Sequence, residues 1–342
     1  MVFEVVNPWH RPKDFEPLPL AALVYQAPVK SLLFRAYRVA TWLRSAPTPS
    51  NPPLRVVCIS DTHNHILDNV PPGDILIHAG DMTNTGSVAE LQRQVDWLAS
   101  LPHKEIMVIS GNHDTYLDPR TRPSLQEEQR SGNVDWGRVH YLQHRRLSLT
   151  ITVDPRDSGS RTPLLAERRQ RRIHIYGAPQ IPACGPMAVH AFQYPRGQDA
   201  WSETVPDDTD ILITHTPPKH HLDLAVSQQG IGCEHLLAEV KRVKPSLHVF
   251  GHVHWGAGQT VVWWDRTHEA YTRGLSVQSK WTHGVLNPRL WWSVVRVAYR
   301  GMREVIWDRV WGGQSAYTIM VNAAQTHGNT GKLGNAVQVV DI

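Results

Sequence analysis

Cysteine is scarce: Cys58, Cys184 and Cys233 are the whole complement, three in number and widely spaced. An odd, scattered set excludes a disulfide framework and a CxxC metal knuckle, and fits a reducing compartment. Long hydrophobic runs are missing too. No uncharged apolar stretch reaches the roughly 20 residues that a bilayer-crossing helix needs. The opening "MVFEVVNPWHRPKDFEPLPL" carries acids and prolines where a secretion signal would be apolar. The expectation is an intracellular, cytoplasmic protein. Strong charge of one sign is also absent: 35 Lys and Arg stand against 31 Asp and Glu, with no long basic run. That balance gives no strong nucleic-acid signal. Internal repeats are lacking. What is present is an ordinary globular balance over 342 residues, 41% hydrophobic and 19% charged, enough to bury a substantial core. Histidine is the unusual component. There are 20, several in short polar motifs, which points to metal chemistry before anything else.

The proline-rich "APTPSNPP" (46–53) is a stiff joint that separates an N-terminal extension, 1–50, from a domain over 51–342. Within the extension, "VKSLLFRAYRVATWLR" (29–44) has helical spacing. Val29, Leu32, Leu33, Ala36, Ala40 and Leu43 share one face, and the segment contains no acid. Two readings follow, packing on its own domain or a basic interfacial helix that touches a membrane or a protein partner. Downstream, "LRVVCIS", "DILIHAG", "KEIMVIS", "RIHIYGA", "DILITHT" and "LHVFGHVH" read as buried strands closed by polar residues or glycine. Residues 87–101 form a helix with Ser87 and Glu90 as a capping box, and 234–243 form another. The alternation predicts a layered α/β domain. An arginine-rich loop, 154–172, and a tryptophan-rich insertion, about 256–316, interrupt it. The insertion includes an amphipathic stretch, 290–310, whose Trp291 and Trp292 are expected in core or lid packing.

The strand ends carry the chemistry. "SDTHNH" supplies Asp61 and His63, "AGDMT" Asp81, "SGNHDTY" Asn112, His113 and Asp114, "THTPP" His215, and "GHVH" His252 and His254. A lone DxH or GD says little, but five such motifs at successive strand ends do not serve packing. Along an extended backbone, alternate side chains point the same way, so each i, i+2 pair is expected to aim together. Alternate Cα atoms lie about 6.6 Å apart, and hydrolytic metal pairs about 3.5–4 Å apart. Two such residues can therefore serve two neighbouring ions, with Asp81 as the natural bridge. Carboxylate, imidazole and amide oxygen without thiolate suit Mn, Fe or Zn. By contrast, His78 is expected to be a hydrogen-bonded core residue, and His220 and His221 to be solvated loop residues.

Taken in order, these motifs resemble the calcineurin-like metallophosphoesterase superfamily over about residues 54–254. The wording "LIHAGDMT" and "THTPP" is similar to the small metallophosphoesterase-domain subgroup related to the 239-type fetal-brain proteins. The resemblance implies a β-sandwich flanked by helices, with a binuclear metal site at the strand-end loops. It places one ion on Asp61, His63 and His254 and the second on Asn112, His215 and His252, with Asp81 between them. It sets Asn112 and His113 beside the substrate phosphate, with Asp114 orienting the His113 ring. His113 and Asp114 are the expected catalytic pair, His113 to stabilise the transition state or protonate the leaving oxygen and Asp114 to favour its protonated form.

The expected activity is phosphoester hydrolysis by a metal-bridging hydroxide, with manganese as the first choice of metal. The expected substrate is a small nucleotide-like phosphodiester. The alternatives are a phosphomonoesterase or protein phosphatase of the same fold, and a non-catalytic scaffold at a membrane surface.

Overall fold

In the computed structural model, the described residues are 20–153, 169–224, 231–277 and 284–342. Two sheets form the centre. The first runs in the order β13 (Gln338–Asp341), β1 (Arg55–Ile59), β2 (Ile75–His78), β3 (Glu105–Val108), β4 (Val139–Tyr141). The second runs β11 (Gly258–Trp263), β12 (Tyr317–Asn322), β10 (Leu247–Phe250), β9 (Ile211–Thr214), β6 (Arg169–Ala178), β5 (Arg145–Val153). β1 to β4 pair in parallel, as do β12, β10, β9 and β6, while β13, β11 and β5 lie antiparallel at the edges. Two short strands, β7 (Ile181–Pro182) and β8 (Gln193–Tyr194), pair separately.

The apolar runs are continuous because each sheet is covered on both faces. Val56, Cys58, Ile75 and Ile77 of the first sheet meet Ile173, Ile211, Ile213 and Val249 of the second. The alternate residues Val57, Ile59, Leu76 and Val108 face outward onto Leu91, Val95 and Leu98 of α3 (Val88–Ser100). The Ser87–Glu90 capping box that starts this helix is formed as its sequence predicts. On the far side, Leu212, Phe250 and Met320 pack on Leu236 and Val240 of α4 (Glu234–Val243).

A third helical layer joins the extension to the insertion. α1 (Leu20–Gln26) precedes α2 (Pro28–Trp42), whose Leu33 and Tyr37 pack on Tyr271 and Leu275 of α5 (Arg266–Leu275) and Val297 of α6 (Pro288–Trp311). Tyr37 and Tyr271 stack with ring centroids 4.0 Å apart. At its end, Arg44 is buried between Asp265 and Asp308, its guanidinium over the Trp263 ring. The expected face of α2 is corrected in part: Leu32 is exposed and Tyr37 takes its place in the core.

Three other expectations change. The insertion begins with an integral element, since β11 runs antiparallel to β12 from Gly258↔Asn322 to Trp263↔Tyr317. The arginine-rich segment is a strand at its end, Arg169 to Arg172 pairing with β5, and 154–168 lie outside the described residues. Trp291 and Trp292 are exposed rather than packed in core or lid. Among the described residues, no helix is long and apolar enough to cross a membrane.

Candidate metal centre

Five parallel strands, β1, β2 and β3 of one sheet and β9 and β10 of the other, deliver their C-terminal loops to one edge of the sandwich. The predicted site residues all lie in these loops. The geometry that aims them is a turn, not strand alternation. Asp61, His63, Asp81 and His252 have φ of 53°, 46°, 53° and 66°, in the left-handed region. Asp, Asn and His are the non-glycine residues that tolerate this region best, though each such residue still costs roughly 1–3 kcal/mol. β1 stops at Ile59 and β10 at Phe250, so neither i, i+2 pair sits on an extended backbone.

Close approach explains the glycine of "GHVH". A Cβ built on Gly251 would lie 2.1 Å from Asp61 Oδ2, a separation no packed pair adopts. Asp61 uses that room to accept the His252 amide on both carboxylate oxygens at 3.0 Å. Asp81 likewise accepts the His113 amide on Oδ1 at 2.7 Å. Each carboxylate thus holds a neighbouring loop while its remaining lone pairs face the centre.

The donor atoms form overlapping groups: Asp61, His63 and His254; His63, Asp81 and His113; Asp81, His215 and His252. Asp81 Oδ2 lies 3.9 Å from His63 Nε2 on one side and 3.3 Å from His215 Nε2 on the other. Asp61 Oδ1 lies 3.3 Å from His254 Nε2. Asn112 turns its Oδ1 to His215 Nε2 at 3.1 Å.

The imidazoles are oriented from behind. His63 Nδ1 faces the Thr83 carbonyl at 3.3 Å, His215 Nδ1 that of Ala79 at 2.9 Å, and His254 Nδ1 that of Gly328 at 2.8 Å. A carbonyl only accepts, so each Nδ1 carries a hydrogen and Nε2 is the ring atom turned to the centre, where a bound cation would displace any second proton. This is the arrangement of metal-ligating histidines, and the donor set fits two hard or borderline divalent ions.

The electrostatics agree with cation binding. Burial opposes ionisation of Asp61, but the His254 hydrogen bond and the charge of His215 hold its carboxyl below the usual range. Asp81 is also held low, against burial, by His215 and His113. Burial likewise opposes a charge on His215, yet the carboxylates of Asp81 and Asp61 push it up to about 9. At His252 burial comes first, with the charge of His215 acting the same way, and takes it down to about 3. Two carboxylates held ionised thus face imidazoles whose protons an entering cation can displace.

The expected partnership of His113 and Asp114 is corrected. Asp114 accepts from Thr83 Oγ1 at 2.8 Å, from the Thr83 amide at 3.1 Å and from the Gly111 amide at 2.8 Å. Its carboxylate ties the "AGDMT" loop to the "SGNHD" loop, and burial beside Asp81 pushes it up to about 6. His113 is oriented by the Asn84 carbonyl, 3.0 Å from its Nδ1. Its ring lies 5.0 Å from that of His63 and 5.3 Å from that of His190, centroid to centroid.

His190 escapes motif reading altogether. It comes from the loop between β7 and β8 and sits with Nδ1 3.1 Å from Asn112 Nδ2. Nothing in "AVHAFQ" singles it out. His78 behaves as expected, buried with Nε2 2.9 Å from Thr62 Oγ1. His221 does not: it is buried, its Nε2 3.0 Å from His268 Nε2. A cavity of about 750 Å³ lies beside the site, lined by Tyr37, Arg38, His220, Trp255 and Tyr271 among others and by none of the candidate metal ligands.

Comparison with known proteins agrees with this geometry. A UPF0046 protein of Caenorhabditis elegans is 34% identical over 219 residues, covering 62% of this chain and 67% of that protein. Metallophosphoesterase domain-containing protein 1 of Homo sapiens is 37% identical over 212 residues, 60% of this chain and 61% of that one. A protein of Emericella nidulans named "Probable rhamnogalacturonate lyase C" is 36% identical over 306 residues. That match takes in 89% of this chain but only 26% of the other, so the chain spans about a quarter of that relative. The calcineurin-like phosphoesterase family matches residues 54–256, and the chain belongs to that family.

Proposed function

We propose that the chain is a metal-dependent phosphoester hydrolase that acts on small, nucleotide-like phosphodiesters. The observation that carries this reading is Asp81, buried between the inward-facing nitrogens of His63 and His215. One carboxylate shared by two groups of nitrogen and oxygen donors is suited to hold two ions side by side. Asp61, His63 and His254 would bind one, and Asn112, His215 and His252 the other. Manganese is the first choice, with iron or zinc compatible with the same donors. When bound, such ions supply Lewis-acid charge to a phosphoryl group and a water-derived nucleophile at neutral pH.

The chain's own groups do the rest. Carbonyl-anchored imidazoles keep their Nε2 atoms fixed in place, so no reorganisation is needed as charge develops. His113 borders the centre with Nδ1 held by Asn84, which leaves Nε2 to meet a phosphate oxygen or protonate the leaving oxygen. Asn112 and His190 border the same side of the centre.

The test is turnover of bis-p-nitrophenyl phosphate and p-nitrophenyl phosphate in parallel, on protein loaded with manganese, iron, zinc or magnesium, with elemental analysis of each sample. Diester turnover that depends on bound metal supports the reading. Monoester-only turnover overturns the diester preference, and no turnover of either by metal-replete protein overturns hydrolysis itself.

A further inference from the structure

α6 is oriented against its own amphipathicity. Its inner stripe, Leu290, Ser293, Val297, Gly301, Glu304 and Asp308, is buried and largely small or acidic. Its outer stripe, Trp292, Val295, Tyr299, Met302, Ile306 and Val310, recurs at the same three- and four-residue steps and is exposed. Tyr299 is 71% and Val310 68% exposed among the described residues. The apolar arc that would ordinarily form the core faces outward.

Packing explains the inner stripe. Gly301 lets α2 approach so closely that a Cβ there would lie 2.5 Å from the Ala40 Cβ. Asp308 accepts the Ser45 amide at 2.8 Å, and Glu304 accepts from Arg303 at 2.7 Å. Packing does not explain the outer stripe, and a contiguous exposed apolar face marks an interaction surface.

Charge identifies the partner. α6 carries five arginines, Arg289, Arg296, Arg300, Arg303 and Arg309, and its only acids are Glu304 and Asp308. Both acids belong to the buried stripe. Arg300 and Arg309 reach the Arg266 and Leu43 carbonyls, while Arg289, Arg296 and Arg303 flank the aromatic outer face with positive charge. The Arg296 guanidinium lies 5.1 Å from the Trp292 ring centroid. A second copy of this face would bring arginine against arginine, whereas an anionic surface complements it. Tryptophan and tyrosine beside arginine, on a helix too charged to cross a bilayer, are the composition of helices that lie in the lipid interface. At 24 residues α6 is about 36 Å long, and α2 beside it exposes Leu32, Val39 and Trp42 and contains no acid.

We infer that the exposed face of α6 docks the protein onto an anionic lipid bilayer, with the helix lying parallel to the membrane surface. The sequence alone suggests residues 29–44 for such a contact. The structure moves its centre to α6, with α2 as a neighbour.

The experiment is co-sedimentation of the full chain with phosphatidylcholine vesicles, with and without phosphatidylserine, at low and high salt. Tryptophan emission is followed in parallel. Binding should require phosphatidylserine, weaken with salt and shift the emission to the blue. The pair Tyr299→Ser and Ile306→Ser should reduce binding at least about 10-fold, at roughly 0.8 kcal/mol for each buried methylene-sized increment. The pair Arg289→Gln and Arg296→Gln should reduce it roughly 25-fold, at about 1 kcal/mol per cation near the surface. Tyr299 and Ile306 lie on the exposed face and Arg289 and Arg296 on its flank, and circular dichroism checks that the variants fold. Absence of binding to phosphatidylserine vesicles, or undiminished binding by the folded variants, overturns the proposal. A concentration-dependent dimer abolished by Tyr299→Ser and Ile306→Ser also overturns it and assigns the face to a second copy. None of these readouts depends on ester hydrolysis, so failure here leaves the catalytic reading untouched.

Discussion

Asp81 Oδ2 and His215 Nε2 face each other across 3.3 Å, both side chains almost wholly buried. A carboxylate in such a place is stable as an anion only while cationic or hydrogen-bonding partners surround it. Because Asp81 also faces His63, its charge is common to both halves of the centre. Asp81→Asn keeps the shape and an acceptor for the His113 amide but removes that charge. The variant is expected to lose bound metal, with ester turnover reduced at least about 100-fold. Elemental analysis after dialysis, alongside the ester assay, checks this. An Asp81→Asn protein that retained both metal and turnover would remove Asp81 from the centre.

Gly251 makes a sharper geometric prediction. Gly251→Ala puts a methyl group 2.1 Å from Asp61 Oδ2 in the undisturbed structure, so the carboxylate or the loop must move. Overpacking of this kind costs about 1–3 kcal/mol. The expected outcome is a folded protein of lower thermal midpoint whose metal content falls, first at the ion held by Asp61, His63 and His254. Calorimetry with metal titration reads both effects. Unchanged metal stoichiometry would mean that the Asp61 carboxylate is not needed where it stands.

Asp114 and His113 are neighbours in sequence with separate tasks. Three good donors converge on the Asp114 carboxylate, so Asp114→Asn turns an amide NH₂ toward at least one N–H. Leaving buried donors unpaired costs about 1–3 kcal/mol each. Asp114→Asn should therefore lower the unfolding midpoint and metal affinity together. His113→Ala should leave both nearly unchanged and reduce kcat by about 10²- to 10⁴-fold. Urea melts, metal titration and steady-state kinetics on the two variants separate the roles. Equal losses of stability would return Asp114 and His113 to a single function.

What could be read in advance was local or ordered along the chain. The Ser87–Glu90 capping box lies within one helical turn, and the strand-end motifs follow one another in the order that parallel strands deliver them to one edge. What could not be read depends on contacts distant in sequence. Periodicity assumes an extended backbone beyond β1 and β10, whereas left-handed turns at Asp61, His63 and His252 aim those side chains. The acceptor role of Asp114 needs Thr83, and the orientation of His113 needs Asn84, a loop about thirty residues earlier. α6 is the clearest case. Its inner face follows from α2 and the partners of Asp308, which lie more than 250 residues away, so a rule that turns apolar arcs inward points it the wrong way. His190 has neither motif nor spacing, and only the fold brings it to Asn112.

Acid sensitivity provides the last prediction, from histidines outside the centre. His248 is fully buried in β10 and pushed down to about 3 by burial alone. Its Nε2 faces Thr214 Oγ1 at 2.9 Å, and the Phe250 ring is 4.9 Å away. His268, against His221 and Trp264, is also pushed down to about 3, by burial first and then by Lys241. Above about pH 6.5 each ring is neutral in both folded and unfolded chains and contributes no pH dependence. Between about 6.5 and 3 only the unfolded chain takes up the proton, so stability falls as pH falls, by about 1.4 kcal/mol per pH unit per ring. At pH 5 that is about 2 kcal/mol for each. Urea midpoints should therefore drop steeply between about pH 7 and pH 5. In His248→Leu the slope should be shallower by one proton, even though removing the Thr214 contact lowers stability at neutral pH. A His248→Leu protein with the original slope would show that this ring takes up its proton in the folded state as readily as in the unfolded one.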